Sequence, residues 1–271
     1  MNDNRRTPAQ SRPEDAVLPE SLRPVAAGAA VDVVWRNELG GLTFELDGAD
    51  GRRFVKWAPV GSGLDLTAEI ARLRWLTGRT PAPRVLSTGA DDFGAWMVTS
   101  PVPGESAVSD RWRAQPAGAV AAIGAGLRAL HDALPVDDCP FDWSTDVRLN
   151  VVRRRAADGD LDPRAWHREH RHLSVPDAVE RVGTPPPIDR LVVCHGDACA
   201  PNTLLTDNGT WSGHVDLGAL GVADRWADLA VATWSTEWNY GRGWDDLLLA
   251  SYGIAPDAER VAYYRLLWDL T

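Results

Sequence analysis

The 271-residue chain is 44% hydrophobic, enough for one large domain or for two lobes sharing a cleft. Its 38 acidic residues exceed its 28 basic ones for a net charge of -10, a field that repels nucleic acid and anionic membrane and draws in cationic ligands. No stretch approaches the roughly 18 to 20 apolar residues that span a bilayer, and the polar N-terminus has no signal-peptide core, so a cytoplasmic location is expected.

Residues 1–21 are rich in Asn, Arg, Pro, Ser and Glu and read as a disordered or loosely attached arm. Short β-prone runs follow at Val31–Arg36, Leu42–Leu46 and Arg53–Trp57, separated by glycine-containing turns, which predicts a small antiparallel sheet. Leu66, Ile70, Leu73 and Leu76 have helical spacing within Leu64–Arg79, and Pro81 and Pro83 stop that helix. Strands are expected again at Arg84–Ser87 and Ala95–Thr99. Ser100-Pro101-Val102-Pro103-Gly104 then reads as a hinge, dividing a lobe over 22–100 from one over 101–271.

Past the hinge, Val120, Ile123, Leu127, Leu130 and Leu134 define one face of a long buried helix, with Pro116 in its first turn. A polar, helical or irregular stretch occupies Asp137–Pro187, and strand signals at Leu191–Cys194 and Trp211–Val215 bracket a loop. The tail predicts three helices, over Asp224–Trp234, Trp244–Ser251 closed by Gly253, and Pro256–Trp268. Most of the 13 tryptophans are expected in the core. Cys139, Cys194 and Cys199 match no zinc spacing and read as reduced, mostly buried thiols.

The densest chemical signal is His195-Gly196-Asp197-Ala198-Cys199-Ala200-Pro201-Asn202. In a protein-kinase catalytic loop an Asp accepts the proton of the acceptor hydroxyl, and an Asn five residues later is a magnesium ligand; Asp197 and Asn202 have that spacing. Val215-Asp216-Leu217-Gly218 stands where kinases carry their Asp-Phe-Gly carboxylate, which places Asp216 on Mg²⁺ as a second hard-oxygen ligand. A lone loop Asp is more often a turn former or helix cap; the two motifs in this order and at this separation outweigh that reading. His195 beside Asp197 reads as a loop-holding hydrogen-bond partner, and His131 as a satisfied core residue.

These segments, together with Gly221–Ala230, Cys139-Pro140-Phe141 and Tyr252–Asp257, resemble the aminoglycoside phosphotransferase family, in its 3'- and 3''-hydroxyl branches. The resemblance covers about Val25 to Thr271 and is most specific in the second half. It implies an α+β, protein-kinase-like two-lobed fold with a small N-terminal antiparallel-sheet lobe and a larger, mainly helical C-terminal lobe. The implied activity is ATP-dependent O-phosphorylation of an aminoglycoside hydroxyl with Mg²⁺ as cofactor, 3' favoured and 3'' possible, conferring resistance.

On the kinase pattern Lys56 in the third strand, which alone would read as a solvated strand charge, pairs with Glu69 on the following helix to meet the nucleotide phosphates. The resemblance places the adenine edge on the Ser100 carbonyl and Val102 amide, and the phosphate loop at Gly28, Ala29 and Ala30, with Ala30 where a serine is usual. A cationic drug would meet Glu169, Glu237, Asp269 and the terminal carboxylate of Thr271. Departures fall at His167 and Arg168, in an insert that is acidic in the family, and at Ala219 and Trp268; they leave the drug and the hydroxyl open. GTP as an alternative nucleotide, another hydroxylated acceptor such as choline, homoserine or a macrolide, and a nucleotide-binding pseudokinase stay as alternatives. No nucleic-acid or membrane partner is expected, and the protein is expected as a monomer or weak homodimer.

Overall fold

The structure is a computed structural model in which residues 16–37, 39–49 and 51–271 are described. The described residues fall into two compact units, one ending at Val102 and the other running from Pro103 to Thr271.

The first unit is a five-stranded antiparallel sheet with one helix. Strands β1 (Ala30–Arg36), β2 (Leu42–Gly48) and β3 (Gly51–Pro59) are followed by α1 (Leu66–Leu76), β4 (Val85–Ala90) and β5 (Gly94–Thr99), in the sheet order β1-β2-β3-β5-β4. Period-two alternation accounts for β2: Leu42, Phe44 and Leu46 are buried on one face while Thr43 and Glu45 take the other. Helix α1 starts at Leu66 because the Asp65 carboxylate accepts the Thr67 N–H at 2.8 Å as an N-cap.

The expected loose arm over 1–21 is corrected for its last part. Residues 1–15 lie outside the described residues, but Ala16 and Leu18 pack with buried Leu22 and Ala26 against Phe44, Leu46, Val55 and Val98 of the sheet. Sparse apolar residues suffice there, because the inner sheet face must be covered by something.

The second unit is mainly helical. It begins with β6 (Glu105–Ser106), α2 (Asp110–Arg113) and α3 (Pro116–Ala133). The polar stretch after α3 resolves into α4 (Thr145–Asp158) and α5 (Val175–Val182). Four short strands follow: β7 (Leu191–Cys194), β8 (Thr203–Leu205), β9 (Trp211–His214) and β10 (Gly221–Asp224). The chain closes with α6 (Trp226–Tyr240), α7 (Asp245–Tyr252) and α8 (Ala258–Leu270). Helix α6 is buried without interruption from Trp226 to Thr236, the signature of a helix packed on all sides. Helices α3 and α7 touch backbone to backbone at Gly124, where a Cβ would stand 2.4 Å from the Leu248 carbonyl oxygen.

The strands expected at Leu191–Cys194 and Trp211–Val215 form as β7 and β9: β7 pairs with β10, and β9 pairs with β8, which adjoins β6. One sequence expectation shifts here. Gly221–Asp224, whose Asp224 was expected to start a helix, is strand, and α6 begins at Trp226 behind the Asp224 side chain, which accepts the Trp226 N–H at 3.0 Å. All three thiols are free, and Cys194 alone of them is fully buried. No helix among the described residues is long and apolar enough to cross a membrane.

Candidate active site

The strand pairings bring the two motif loops together. The His195–Asn202 loop leaves β7 at Cys194 and enters β8 at Thr203, while the Val215–Leu220 loop leaves β9 at His214 and enters β10 at Gly221. Cys194 pairs with Gly221, and Thr203 pairs with His214, so each end of one loop is laddered to an end of the other. Two segments clamped at both ends lie side by side; Asp197 is the third residue of one and Asp216 the second of the other.

Direct bonds then fix the loops to each other. His195 Nε2 bonds the Val215 carbonyl at 3.0 Å and its Nδ1 accepts the Asp197 N–H at 3.2 Å, which sets the Nε2–H tautomer and gives His195 the loop-holding role. The Val215 N–H donates to the Asn202 carbonyl at 3.0 Å, and Asn202 Nδ2 donates to the Asp197 carbonyl at 3.0 Å. Asn202 is thereby oriented by its nitrogen, which reserves its side-chain oxygen for other use. Burial pushes the Asp197 carboxyl above its ordinary value, and the nearby charge of Asp216 adds to the rise. Asp197 Oδ1 is enclosed and has no hydrogen-bond partner among the described residues. Asp216 adopts φ +62°, a left-handed conformation rarely held by a non-glycine residue unless its surroundings impose it.

Chemically, an enclosed carboxylate oxygen is a proton acceptor, and the Asp216 carboxylate with the Asn202 amide oxygen is a hard-oxygen pair. That donor set suits Mg²⁺, which takes one or two protein oxygens and keeps its waters. A second cluster, His131, Cys194 and Asp228, has ligand atoms within 4.8 Å of one another. It does not suit a metal: both His131 nitrogens are hydrogen-bonded, and burial holds the Cys194 thiol protonated.

Asp228 is the residue that motif reading did not single out. From the first turn of α6 its carboxylate accepts the His195 N–H at 2.6 Å, the Gly196 N–H at 2.9 Å and His131 Nε2 at 2.9 Å, with no solvent exposure. His131 completes the chain through Nδ1 to the Tyr252 hydroxyl at 2.9 Å. Burial alone would raise the Asp228 carboxyl, but the bond to His131, the neighbouring imidazoles and the Gly196 amide outweigh it and leave it below its ordinary value. A signal existed in the sequence: a lone carboxylate inside the apolar run Trp226–Val231 can be buried only if it is paired.

Gly196 sits between these anchors at φ +85°, and a Cβ there would lie 2.2 Å from the Ala219 carbonyl oxygen. Gly196→Ala must therefore push the two loops apart at the residue before Asp197. We expect kcat to fall by about 100-fold, the scale of an ångström misplacement. Steady-state kinetics on a variant of unchanged circular dichroism checks this, and a kcat within threefold of wild type would contradict it.

In the first unit, Lys56 Nζ donates to both Glu69 oxygens, at 2.7 and 2.9 Å, and Glu69 is buried. Gly28 and Ala29 form the turn entering β1, whose first residue is Ala30. Past β5, the Ser100 N–H donates to the Arg84 carbonyl, while the Ser100 carbonyl and Val102 N–H have no hydrogen-bond partner among the described residues.

The four expected drug-binding residues are differently placed. Glu169 accepts from Trp234 Nε1 at 3.2 Å and lies 3.8 Å from Arg265. Glu237 Oε1 accepts from Arg168 Nη2 and, at 2.9 Å, from Arg242 Nε. Asp269 is a correction: it is 1% exposed, and its Oδ2 accepts the His167 N–H at 3.0 Å and bonds His170 Nδ1 at 2.6 Å, so it holds a turn and is not open to a ligand. Thr271 bonds Arg148 through its hydroxyl and Arg155 through its carbonyl, at 3.1 and 2.8 Å.

Fold and loop chemistry together are those of a kinase-like phosphotransferase. The profile of the Phosphotransferase enzyme family matches residues 21–264, and the chain belongs to that family. It is 40% identical over 220 residues to an aminoglycoside 3'-phosphotransferase of Streptomyces fradiae, covering 78% of this chain and 81% of the relative. It is 36% identical over 270 residues to the streptomycin 3''-kinase of Streptomyces griseus, covering 93% and 97%. Among solved structures, the aminoglycoside phosphotransferase APH(3'')-Id of Streptomyces rimosus in complex with ADP and streptomycin superimposes with a TM-score of 0.73 at 30% identity, over 92% of this chain and 95% of that one.

Proposed function

We propose that this protein transfers the γ-phosphoryl group of ATP to a hydroxyl of an aminoglycoside, the 3' hydroxyl in preference to the 3'', and thereby confers resistance from a cytoplasmic location. The observation that carries the reading is the enclosed, unpartnered Oδ1 of Asp197 on a loop laddered at both ends to the loop of Asp216. In the reaction the acceptor hydroxyl oxygen bonds to the γ-phosphorus as the bond to the β–γ bridging oxygen breaks. ADP leaves with that oxygen, and the hydroxyl proton passes to Asp197 Oδ1.

Asp216 and the side-chain oxygen of Asn202 would hold Mg²⁺, which when bound neutralises phosphate charge. Lys56, steadied by Glu69, is assigned to the phosphates, the Gly28–Ala30 turn to their backbone contacts, and the Ser100 carbonyl and Val102 amide to the adenine edge. GTP could use the same phosphate contacts. Glu169 and Glu237 are assigned to substrate ammonium groups. Support comes from the relatives that phosphorylate aminoglycosides and from the ADP–streptomycin complex of the Streptomyces rimosus protein.

A second reading, phosphorylation of another small hydroxylated metabolite such as choline, homoserine or a macrolide, is favoured by one observation: both open acceptor carboxylates already carry guanidinium partners. ADP release with purified protein, Mg²⁺ and ATP, tested against kanamycin, neomycin, streptomycin and these metabolites, separates the two. We expect turnover with at least one aminoglycoside and a stop on chelation of the metal. Turnover confined to the metabolites would transfer the assignment to them, and nucleotide binding without any phosphorylated product would mark a pseudokinase.

A further inference from the structure

We propose that Arg168 is a specificity-determining residue: it occupies Glu237 as an internal cation, so that a polyamine acceptor gains that carboxylate only by competing with it. The inference rests on the assignment of Glu237 to the acceptor site. Its basis is the set of bonds around the His167–Leu173 turn.

Arg168 is not an ordinary surface arginine. Its turn is pinned on both sides: the buried Asp269 takes the His167 N–H and the His170 ring, and Arg171 Nε donates to the Trp166 carbonyl at 2.9 Å. The His167 ring packs against Trp234 with centroids 4.5 Å apart, and burial lowers its tendency to take up a proton. From this fixed turn Arg168 reaches across to α6 and donates to Glu237 Oε1. Arg242 donates to the same oxygen. One carboxylate thus faces two guanidinium groups, and a further cation approaching it meets net repulsion.

The neighbouring acidic groups are balanced in the same way. Arg265 lies across the Trp234 ring, 5.3 Å from its centre, and reaches Asp245 at 3.2 Å and Glu169 at 3.8 Å. Arg265 is buried, at 8% exposure, and is committed to the Thr233 hydroxyl as well, so a ligand cannot displace it cheaply. The Arg168 side chain is 45% exposed and the Glu237 side chain 18%. Arg168 is therefore the partner that is both held in place and reachable, the condition for a competing internal ligand. An acceptor rich in ammonium groups is penalised relative to a sparsely charged one.

The test uses the full chain, neomycin as the probe and intrinsic tryptophan fluorescence as the readout, since Trp234 and Trp238 lie beside His167. Arg168→Gln is expected to tighten neomycin binding by about three- to fivefold, the scale of one partly exposed ion pair. The gain should shrink at high salt. In a Glu237→Gln background the same substitution should give no gain. Unchanged or weaker binding by Arg168→Gln overturns the proposal, as does an equal gain in both backgrounds. Affinity is read without turnover, so the two readings fail separately. An absence of phosphorylation with this binding pattern intact would remove the kinase assignment alone, and normal turnover with an inert Arg168→Gln would remove this one alone.

Discussion

Asp197→Ala is expected to lower kcat by about 10³-fold or more while nucleotide affinity stays within about twofold of wild type. The substitution removes the group placed to take the acceptor proton, with its side-chain contacts to Cys199 and Asn202, and leaves the bonds that tie the two loops together in place. The bonds His195 Nε2 to Val215, Val215 to Asn202 and Asn202 Nδ2 to residue 197 involve only its backbone or neighbours. The residual rate would come from positioning and phosphate electrostatics, which do not pass through this carboxylate. Asp197→Asn is the companion variant, since it keeps side-chain volume and loses only the proton-accepting carboxylate. Single-turnover kinetics and nucleotide titration of both variants check the expectation. Turnover within tenfold of wild type by either folded variant would remove Asp197 from the role of base.

Asp228→Ala is the second large effect, and it falls on stability. The substitution leaves the His195 and Gly196 amides and the His131 ring without their acceptor in a site that water does not reach. Removing one member of such a buried pair costs about 3 to 5 kcal/mol. For a chain of this size that lowers Tm by on the order of 10 °C. Activity at permissive temperature should fall too, because the backbone of the Asp197 loop hangs from this carboxylate. Asp228→Asn should recover little, since its amide nitrogen would face N–H donors. Because the folded carboxyl titrates below its ordinary value of 3.8, its contribution to stability is complete above that pH. It is lost as pH falls through 3.8 towards the lower folded value, so wild type should lose stability more steeply in acid than Asp228→Ala. Thermal melts across pH, read for both proteins, test the sign; parallel acid profiles would contradict it.

Much of this protein could be read from its residues in order. Local periodicity sufficed for the α3 face at Val120, Ile123, Leu127 and Leu130, all buried, and for the alternation of β2. Spacing along one short loop sufficed to single out Asp197 and Asn202, because the distance between two groups within one turn of chain is set by sequence separation itself. The Lys56–Glu69 pair was also legible, since a strand residue and a residue on the next helix are brought together by a short connection.

Other features could be settled only by long-range pairing. That β7 joins β10 follows from the burial of short apolar strands whose partners no local pattern specifies. The Asp228–His131–Tyr252 chain joins residues up to 121 positions apart, and charge alone does not reveal which carboxylate will be enclosed. For the acceptor residues the tertiary structure changed the meaning of the composition. Glu169, Glu237 and Asp269 are equal acidic letters in sequence, yet packing encloses Asp269 to brace a turn and sets Arg168 against Glu237. Net charge is a sum over the whole chain, whereas the field at one carboxylate depends on which few cations the fold puts beside it.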